Sequence, residues 1–153
     1  MNDLTQTPEM LVATLGARAR AASTLLARAP DAVKADALRR AAAAIRDRSN
    51  AILSANQRDM EQAATNGLSS AMLDRLRLDQ ARLEGIASAV AAVADLPDPV
   101  GQVIDSNQRP NGMTLERVRV PLGVVGIIYE SRPNVTADAA ALSLRAGNAV
   151  ILR

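Results

Sequence analysis

The sequence predicts an α/β protein: a long helical segment, then a β-hairpin, then the first βαβ unit of an incomplete, Rossmann-like parallel sheet. Three observations carry that expectation. Helix-periodic sequence rich in alanine, arginine and leucine fills residues 1–98. An Asn-Gly pair separates two extended runs within 99–120. Two uninterrupted apolar runs flank a helix-patterned stretch within 121–153. At 153 residues the chain is long enough for one ordinary domain and too short for two.

Composition narrows the chemistry. There is no Trp, no Phe and only one Tyr, Tyr129, against 31 Ala, so the core must be made of aliphatics and of alanine at close helix contacts. Carbohydrate-binding and single-strand nucleic-acid modules lean on aromatic platforms and are disfavoured. The chain holds no Cys and no His. Thiol nucleophiles, imidazole bases and Cys/His metal sites are therefore absent from these residues, and no metal site is expected. Any chemistry rests on carboxylates and backbone, or is completed outside the chain.

The net charge of +2 comes from 18 basic and 16 acidic residues, with Lys34 the only lysine. Arginines are spread from Arg18 to Arg153, and the one adjacent pair, Arg39-Arg40, reads as a solvated helix face, so no nucleic-acid partner is expected. No apolar run approaches the ~20 residues of a membrane span, and Met1-Asn2-Asp3-Leu4-Thr5 does not open a secretory signal. A soluble cytoplasmic protein is the expectation.

Along the chain, Thr7-Pro8-Glu9 has a capping residue, Pro at the first helical position and an acid in the first turn. Leu11, Leu15, Ala19, Ala22 and Leu26 then form one stripe. After Pro30-Asp31 a second register runs through Leu38, Ala41, Ala42, Ile45, Ser49, Ile52 and Leu53, with a break near Ser49-Asn50. Thr65-Asn66-Gly67 is a stop signal. A short helix around Met72, Leu73 and Leu76 follows, then one from about Asp79 with Leu83, Ile86, Ala87, Val90 and Val93 on one side. The composition shifts near Leu96-Pro97-Asp98-Pro99. Beyond it, extended runs on either side of Pro110-Asn111-Gly112 predict an antiparallel hairpin over about 101–120. A two-stranded hairpin is marginal alone, so it should pair with something in this chain or another.

Leu122 to Tyr129 is apolar without alternation, as expected of a strand buried on both faces. A helix follows with Ala137, Ala140, Ala141 and Leu144 on one face. Thr136 is its expected cap, Asp138 suits its first turn, Arg145 its last turn and Gly147 its C′ position. Ala149 to Leu152 is the second strand. A parallel sheet with two apolar faces needs more strands and covering helices than these residues supply, which points to the N-terminal part of a longer α/β protein.

In open α/β sheets ligands bind beyond the carboxyl ends of the strands. Here those ends are the polar segment from Tyr129 to Asn134, just before a helix N-terminus that favours anions, and Arg153, whose guanidinium suits a phosphate. Geometry alone leaves a nucleotide or phosphate site and an ordinary strand end equally open. Gly123 and Gly126 fall inside the strand, so there is no G-x-G-x-x-G fingerprint.

The segment from Val120 to Arg153, and above all the Tyr-Glu-Ser-Arg-Pro-Asn-Val-Thr run from Tyr129 to Thr136, closely resembles the gamma-glutamyl phosphate reductase (glutamate-5-semialdehyde dehydrogenase) family of the aldehyde dehydrogenase superfamily. Asn56-Gln57-Arg58-Asp59, the Leu73-Asp74-Arg75-Leu76 turn and Pro110-Asn111-Gly112-Met113 are consistent with it. The resemblance covers essentially the whole chain and well under half of a family member.

It implies an aldehyde-dehydrogenase-like fold, with 1–98 the helical part of the cofactor-binding domain, 99–120 the hairpin of an oligomerisation domain and 121–153 the first βαβ of the NADP-binding domain. It also implies NADPH-dependent reduction of L-glutamyl 5-phosphate to L-glutamate 5-semialdehyde with release of phosphate, in proline biosynthesis. The family's cysteine nucleophile has no counterpart here, so the chain by itself is expected to be inactive.

By the same resemblance Asn134 corresponds to the asparagine that donates to the oxyanion, and Arg153 stands where an arginine suits the 2′-phosphate of NADP. Glu130, Ser131 and Pro133 line the nicotinamide side, and Arg132 is a candidate for a phosphate or carboxylate contact or, equally, for a salt bridge that organises the loop. The hairpin is expected to add to a partner subunit's sheet in a homo-oligomer. The rival expectation is a non-catalytic partner or regulatory protein that keeps the hairpin and helices; a continuing frame with a glycine-rich loop and a later cysteine separates the two.

Overall fold

The computed structural model describes residues 7–130 and 132–153. The leading Met1 to Thr5 segment and Ser131, with the cofactor contact expected of it, lie outside the described residues.

The helices begin and end where capping chemistry places them. Thr7 accepts from the Met10 N–H at 3.3 Å and Pro8 fills the first turn of α1, Pro8–Leu26. Helix α2, Asp31–Asp47, and α3, Ser49–Thr65, are separated by Arg48 alone, the expected break. Helix α3 stops on Gly67 at φ 76°, with Gly67 N–H donating to the Ala64 carbonyl and Leu68 N–H to that of Ala63, a Schellman closure. Ser69 caps α4, Ser70–Leu76, whose last turn is the Leu73-Asp74-Arg75-Leu76 motif. Asp79 caps α5, Gln80–Ala94, accepting from the Arg82 N–H at 2.7 Å.

Three of these elements make the core. Ala35, Leu38 and Ala42 of α2 meet Val90 and Ala94 of α5 and Ala141 of α6, the helix Pro133–Arg145. Alanine at the contact points lets helix axes approach closely, which is how a core without aromatics closes. The stripe on α1 is only partly used: Ala19 is buried, while Leu11 and Leu15 stay exposed.

The layer also holds two buried cations. Lys34, 2% exposed, reaches the Asp98 carboxylate at 2.8 and 2.6 Å. Desolvation pushes the Asp98 carboxyl up, but the bonds from Lys34 and from the Val100 N–H outweigh it and hold the group below its ordinary value. Arg145, 5% exposed, donates through Nε to the Leu96 carbonyl at 2.9 Å, and its terminal nitrogens bond the same carbonyl and the Asp31 carboxylate. These contacts fasten the 95–100 linker to α2 and α6.

Strand β1, Val103–Gln108, pairs antiparallel with β2, Thr114–Val118, in a register that sets Asn107 opposite Leu115. The turn closes through Gly112 N–H to the Arg109 carbonyl at 2.9 Å and Arg109 N–H to the Met113 carbonyl at 2.8 Å. Pro110 and Asn111 are thus central, and Gly112 takes the left-handed position at φ 85°. Every residue of both strands is exposed.

Strand β3, Val124–Ile127, runs parallel to β4, Ala149–Leu152, with Val124 opposite Ala149 and Ile127 opposite Leu152, and α6 crosses between them. Both α1 and α6 pack on β4. Three expectations change here. The strand within 122–129 is shorter, and within this chain it is half-buried, with Leu122 and Ile128 each 86% exposed. Thr136 does not cap α6. The helix starts three residues earlier, at Pro133, because proline's fixed φ and missing N–H suit the first helical position. Asp138 consequently sits beyond the first turn. Gly147 does occupy C′, at φ 72°, in a second Schellman closure through Asn148 N–H to the Ser143 carbonyl. Among the described residues no helix is long and apolar enough to cross a membrane.

Candidate functional site

The parallel ladder continues one step past the strands: Arg153 N–H donates to the Ile127 carbonyl at 3.0 Å and Tyr129 N–H to the Arg153 carbonyl at 2.8 Å. Both chains therefore leave the sheet at the same level. From there the first chain turns into α6, whose N-cap Arg132 supplies no side-chain cap, while the Val135 N–H donates to the Arg132 carbonyl at 3.0 Å. The Tyr129 and Thr136 hydroxyls are hydrogen-bonded at 2.5 Å, tying the strand end to the first turns of the helix across the intervening segment.

Asn134 lies in the first turn of α6 and is exposed. Its Nδ2 donates to Asp138 Oδ2 at 3.1 Å, the i,i+4 neighbour, which fixes the amide orientation and leaves its second N–H available to a ligand. Asn134 shares a cleft of about 470 Å³ with Arg132 and Pro133 on one wall and the α4–α5 connection on the other. That volume suits a small ligand. Glu130 and Arg153 are exposed at the strand ends, but neither lines this cleft. The six expected residues thus divide: three on the cleft wall, two at the strand ends and Ser131 undescribed.

The opposite wall holds side chains that sequence reasoning passed over. Arg75, Arg77 and Arg82 line it with Asp74, and Asp138 closes the helix side. Four arginines face two aspartates, and Asp74 is already paired with Arg82 at 3.0 Å. The cleft is therefore an electropositive recess. The signal available in the sequence was a run of arginines from Arg75 to Arg82. Nothing local placed it opposite Arg132, because that depends on α5 docking against α6.

No family model matches the chain. Curated relatives do. The gamma-glutamyl phosphate reductase of Rhizorhabdus wittichii is 66% identical over 143 residues, covering 94% of this chain and 33% of the relative, and that of Sphingopyxis alaskensis is 69% identical over the same coverage. Among solved structures, the Thermotoga maritima gamma-glutamyl phosphate reductase superposes with a TM-score of 0.89 at 40% identity, covering 93% of this chain and 34% of that one. The Saccharomyces cerevisiae enzyme gives 0.88 at 34% identity. The chain spans about a third of the length of the curated relatives it matches. Sequence and fold agree that, over nearly its whole length, this chain is homologous to the N-terminal portion of gamma-glutamyl phosphate reductase.

Proposed function

We propose that these residues form part of an NADPH-dependent oxidoreductase that converts L-glutamyl 5-phosphate to L-glutamate 5-semialdehyde and releases phosphate, a step of proline biosynthesis. The observation that carries it is the near-complete match to relatives of that name, 66% identical over 143 residues. The Tyr129–Thr136 run, where the resemblance is most specific, lies at the meeting point of parallel strand ends and a helix N-terminus, the place where α/β proteins bind ligands.

The residues fit such a role in stated ways. Arg153, exposed at the end of β4 and with no side-chain partner among the described residues, would hold the 2′-phosphate of the dinucleotide. Glu130, exposed just past β3, and Pro133, on the cleft wall, would line the nicotinamide side, with Ser131. When bound, the dinucleotide supplies a hydride to the acyl carbon. Asn134 would donate its free amide N–H to the oxygen of that carbon as negative charge gathers there, and Asp138 holds the amide ready. Arg132, on the cleft wall, would contact a phosphate or carboxylate group of the substrate. The nucleophile that forms the acyl intermediate lies outside these residues, which contain no Cys. We expect no turnover from the 153 residues alone. The hairpin, with both edges unpaired, would add to a sheet of a second subunit in a homo-oligomer. A cytoplasmic location accords with biosynthetic work.

The test is a chimera in which this chain replaces the matching third of the Rhizorhabdus wittichii enzyme. Phosphate-dependent reduction of NADP by glutamate 5-semialdehyde reports the reverse reaction. The chimera should turn over, and Asn134→Ala in it should lower kcat by ~10²–10³ with little change in KM. A folded chimera without turnover sinks the proposal and favours a non-catalytic partner protein, and an unaffected Asn134→Ala variant removes Asn134 from the oxyanion role.

A further inference from the structure

The α4–α5 connection is built as a rigid platform. Arg82 Nη1 donates to the Asp74 carbonyl at 2.6 Å and to the Arg77 carbonyl at 2.9 Å, while Nη2 bonds the Asp74 carboxylate at 3.0 Å. From α3, the buried Asn56 clasps the other side: its Nδ2 donates to the Leu76 carbonyl at 2.9 Å and its Oδ1 accepts from the Leu78 N–H at 2.8 Å. Two side chains from other elements thus hold this turn by five hydrogen bonds.

The guanidinium groups it carries do none of this holding. Arg75 and Arg77 make no hydrogen bond or ion pair through their side chains among the described residues, and neither does Arg132 across the cleft. The nearby acids are spoken for, Asp74 by Arg82 and Asp138 by Asn134. A fixed platform that presents unpaired, fork-shaped cations into a recess already facing another one suits a planar or tetrahedral oxyanion taken by more than one arginine.

We propose that Arg75 and Arg77, with Arg132 opposite, form an anion site that takes a carboxylate or phosphate group of a small ligand and sets substrate specificity. It rests on the preceding reading only in expecting the ligand to be a small amino-acid derivative with an anionic group at each end. One group is gripped by the α4–α5 platform while the reacting end lies toward Asn134. Arg82 is a positioning residue, since its donors are spent on the platform itself.

Two probes separate the sources of the anion. L-Glutamate and inorganic phosphate are titrated separately into the chain at low ionic strength, and the arginine Nε–H resonances are followed by NMR. Saturable shifts of the Arg75, Arg77 and Arg132 signals with either probe are expected. The Arg75→Gln/Arg77→Gln variant should weaken them at least tenfold, while Arg20→Gln/Arg28→Gln, at exposed positions of α1 and of the turn that follows it, should leave them unchanged. Saturation by glutamate alone assigns a carboxylate, by phosphate alone a phosphoryl group. Shifts spread over all exposed arginines, or an unaltered affinity in the cleft variant, overturn the proposal.

The chimera supplies an independent readout. There, Arg75→Gln/Arg77→Gln should raise at least tenfold the KM for the semialdehyde where the site takes the carboxylate, or for inorganic phosphate where it takes the phosphoryl group, and leave KM for NADP unchanged; unaltered KM values for both overturn the site even if the enzyme reading stands. An inactive chimera whose cleft still binds glutamate or phosphate sinks the enzyme reading and leaves the site.

Discussion

In the α2–α5–α6 layer charges have left water and are matched; in the β1–β2 hairpin no residue of either strand is buried. Among the described residues no buried side-chain nitrogen or oxygen lacks a hydrogen-bond partner, and Lys34 and Arg145 are deep in the layer. The hairpin has no buried residue in either strand, and Val103, Ile104, Leu115 and Val118 are all exposed. One region is therefore held by tertiary contacts, the other by its turn and its ladder. That contrast says where substitutions should register.

The largest effect is expected from Arg145→Ala. It removes a buried cation, orphans the Leu96 carbonyl and breaks the bond to the largely exposed Asp31 carboxylate, and should cost ~2–4 kcal/mol through the unpaired carbonyl and the lost packing, read from the urea midpoint. A loss below ~1 kcal/mol would mean that alanine packing alone holds the layer, and the contrast with the hairpin would weaken.

Gly147→Ala tests the seam between α6 and β4. The residue sits at φ 72°, and a Cβ there would lie 2.9 Å from Pro121 Cγ. A destabilisation of ~1–3 kcal/mol is expected from left-handed strain and the contact together, measured by thermal unfolding.

Acid should act on the helical layer before the hairpin. The Arg46 guanidinium, followed by the Ser88 hydroxyl, holds the Glu84 carboxyl down at about 2 from an ordinary 4.5. Asp98 is also held below its ordinary value. A carboxyl lowered in the folded state stabilises it above the unfolded value, and that contribution is lost as pH falls through the folded one. The unfolding midpoint should stay level above the ordinary carboxylate range and drop between 4.5 and about 2, less steeply in Glu84→Gln. An unchanged slope in that variant would remove the Arg46–Glu84 pair from the account.

The smallest effect belongs to the hairpin. Ile104→Thr, at a residue 52% exposed, should shift stability by no more than ~0.5 kcal/mol in the isolated chain. A larger loss would show that the face is covered in solution, and a concentration-dependent midpoint would identify the cover as another copy.

Much of the secondary structure was legible because its signals are local. The Thr7 cap, the Gly67 stop, the break at Arg48 and the turn at Gly112 each depend on a handful of adjacent residues. Thr136 shows the limit of that legibility. Thr136 was the expected cap, yet Pro133 takes the first helical position three residues earlier and Thr136 bonds Tyr129 instead. Of the site, the Tyr129–Thr136 run was visible as a motif, whereas the platform opposite was not.

By itself the sequence determined the order of helices, hairpin and βαβ unit, and the family to which the chain is homologous, since periodicity, capping and motif are properties of neighbours in the chain. Only the tertiary structure decided which charges would be buried and which arginines would face one another. Arg145 meets Asp31 across 114 positions and Lys34 meets Asp98 across 64. Pairing at such separations follows from how helices dock, and a guanidinium reads the same in sequence whether it ends in solvent, in a core or on the wall of a cleft.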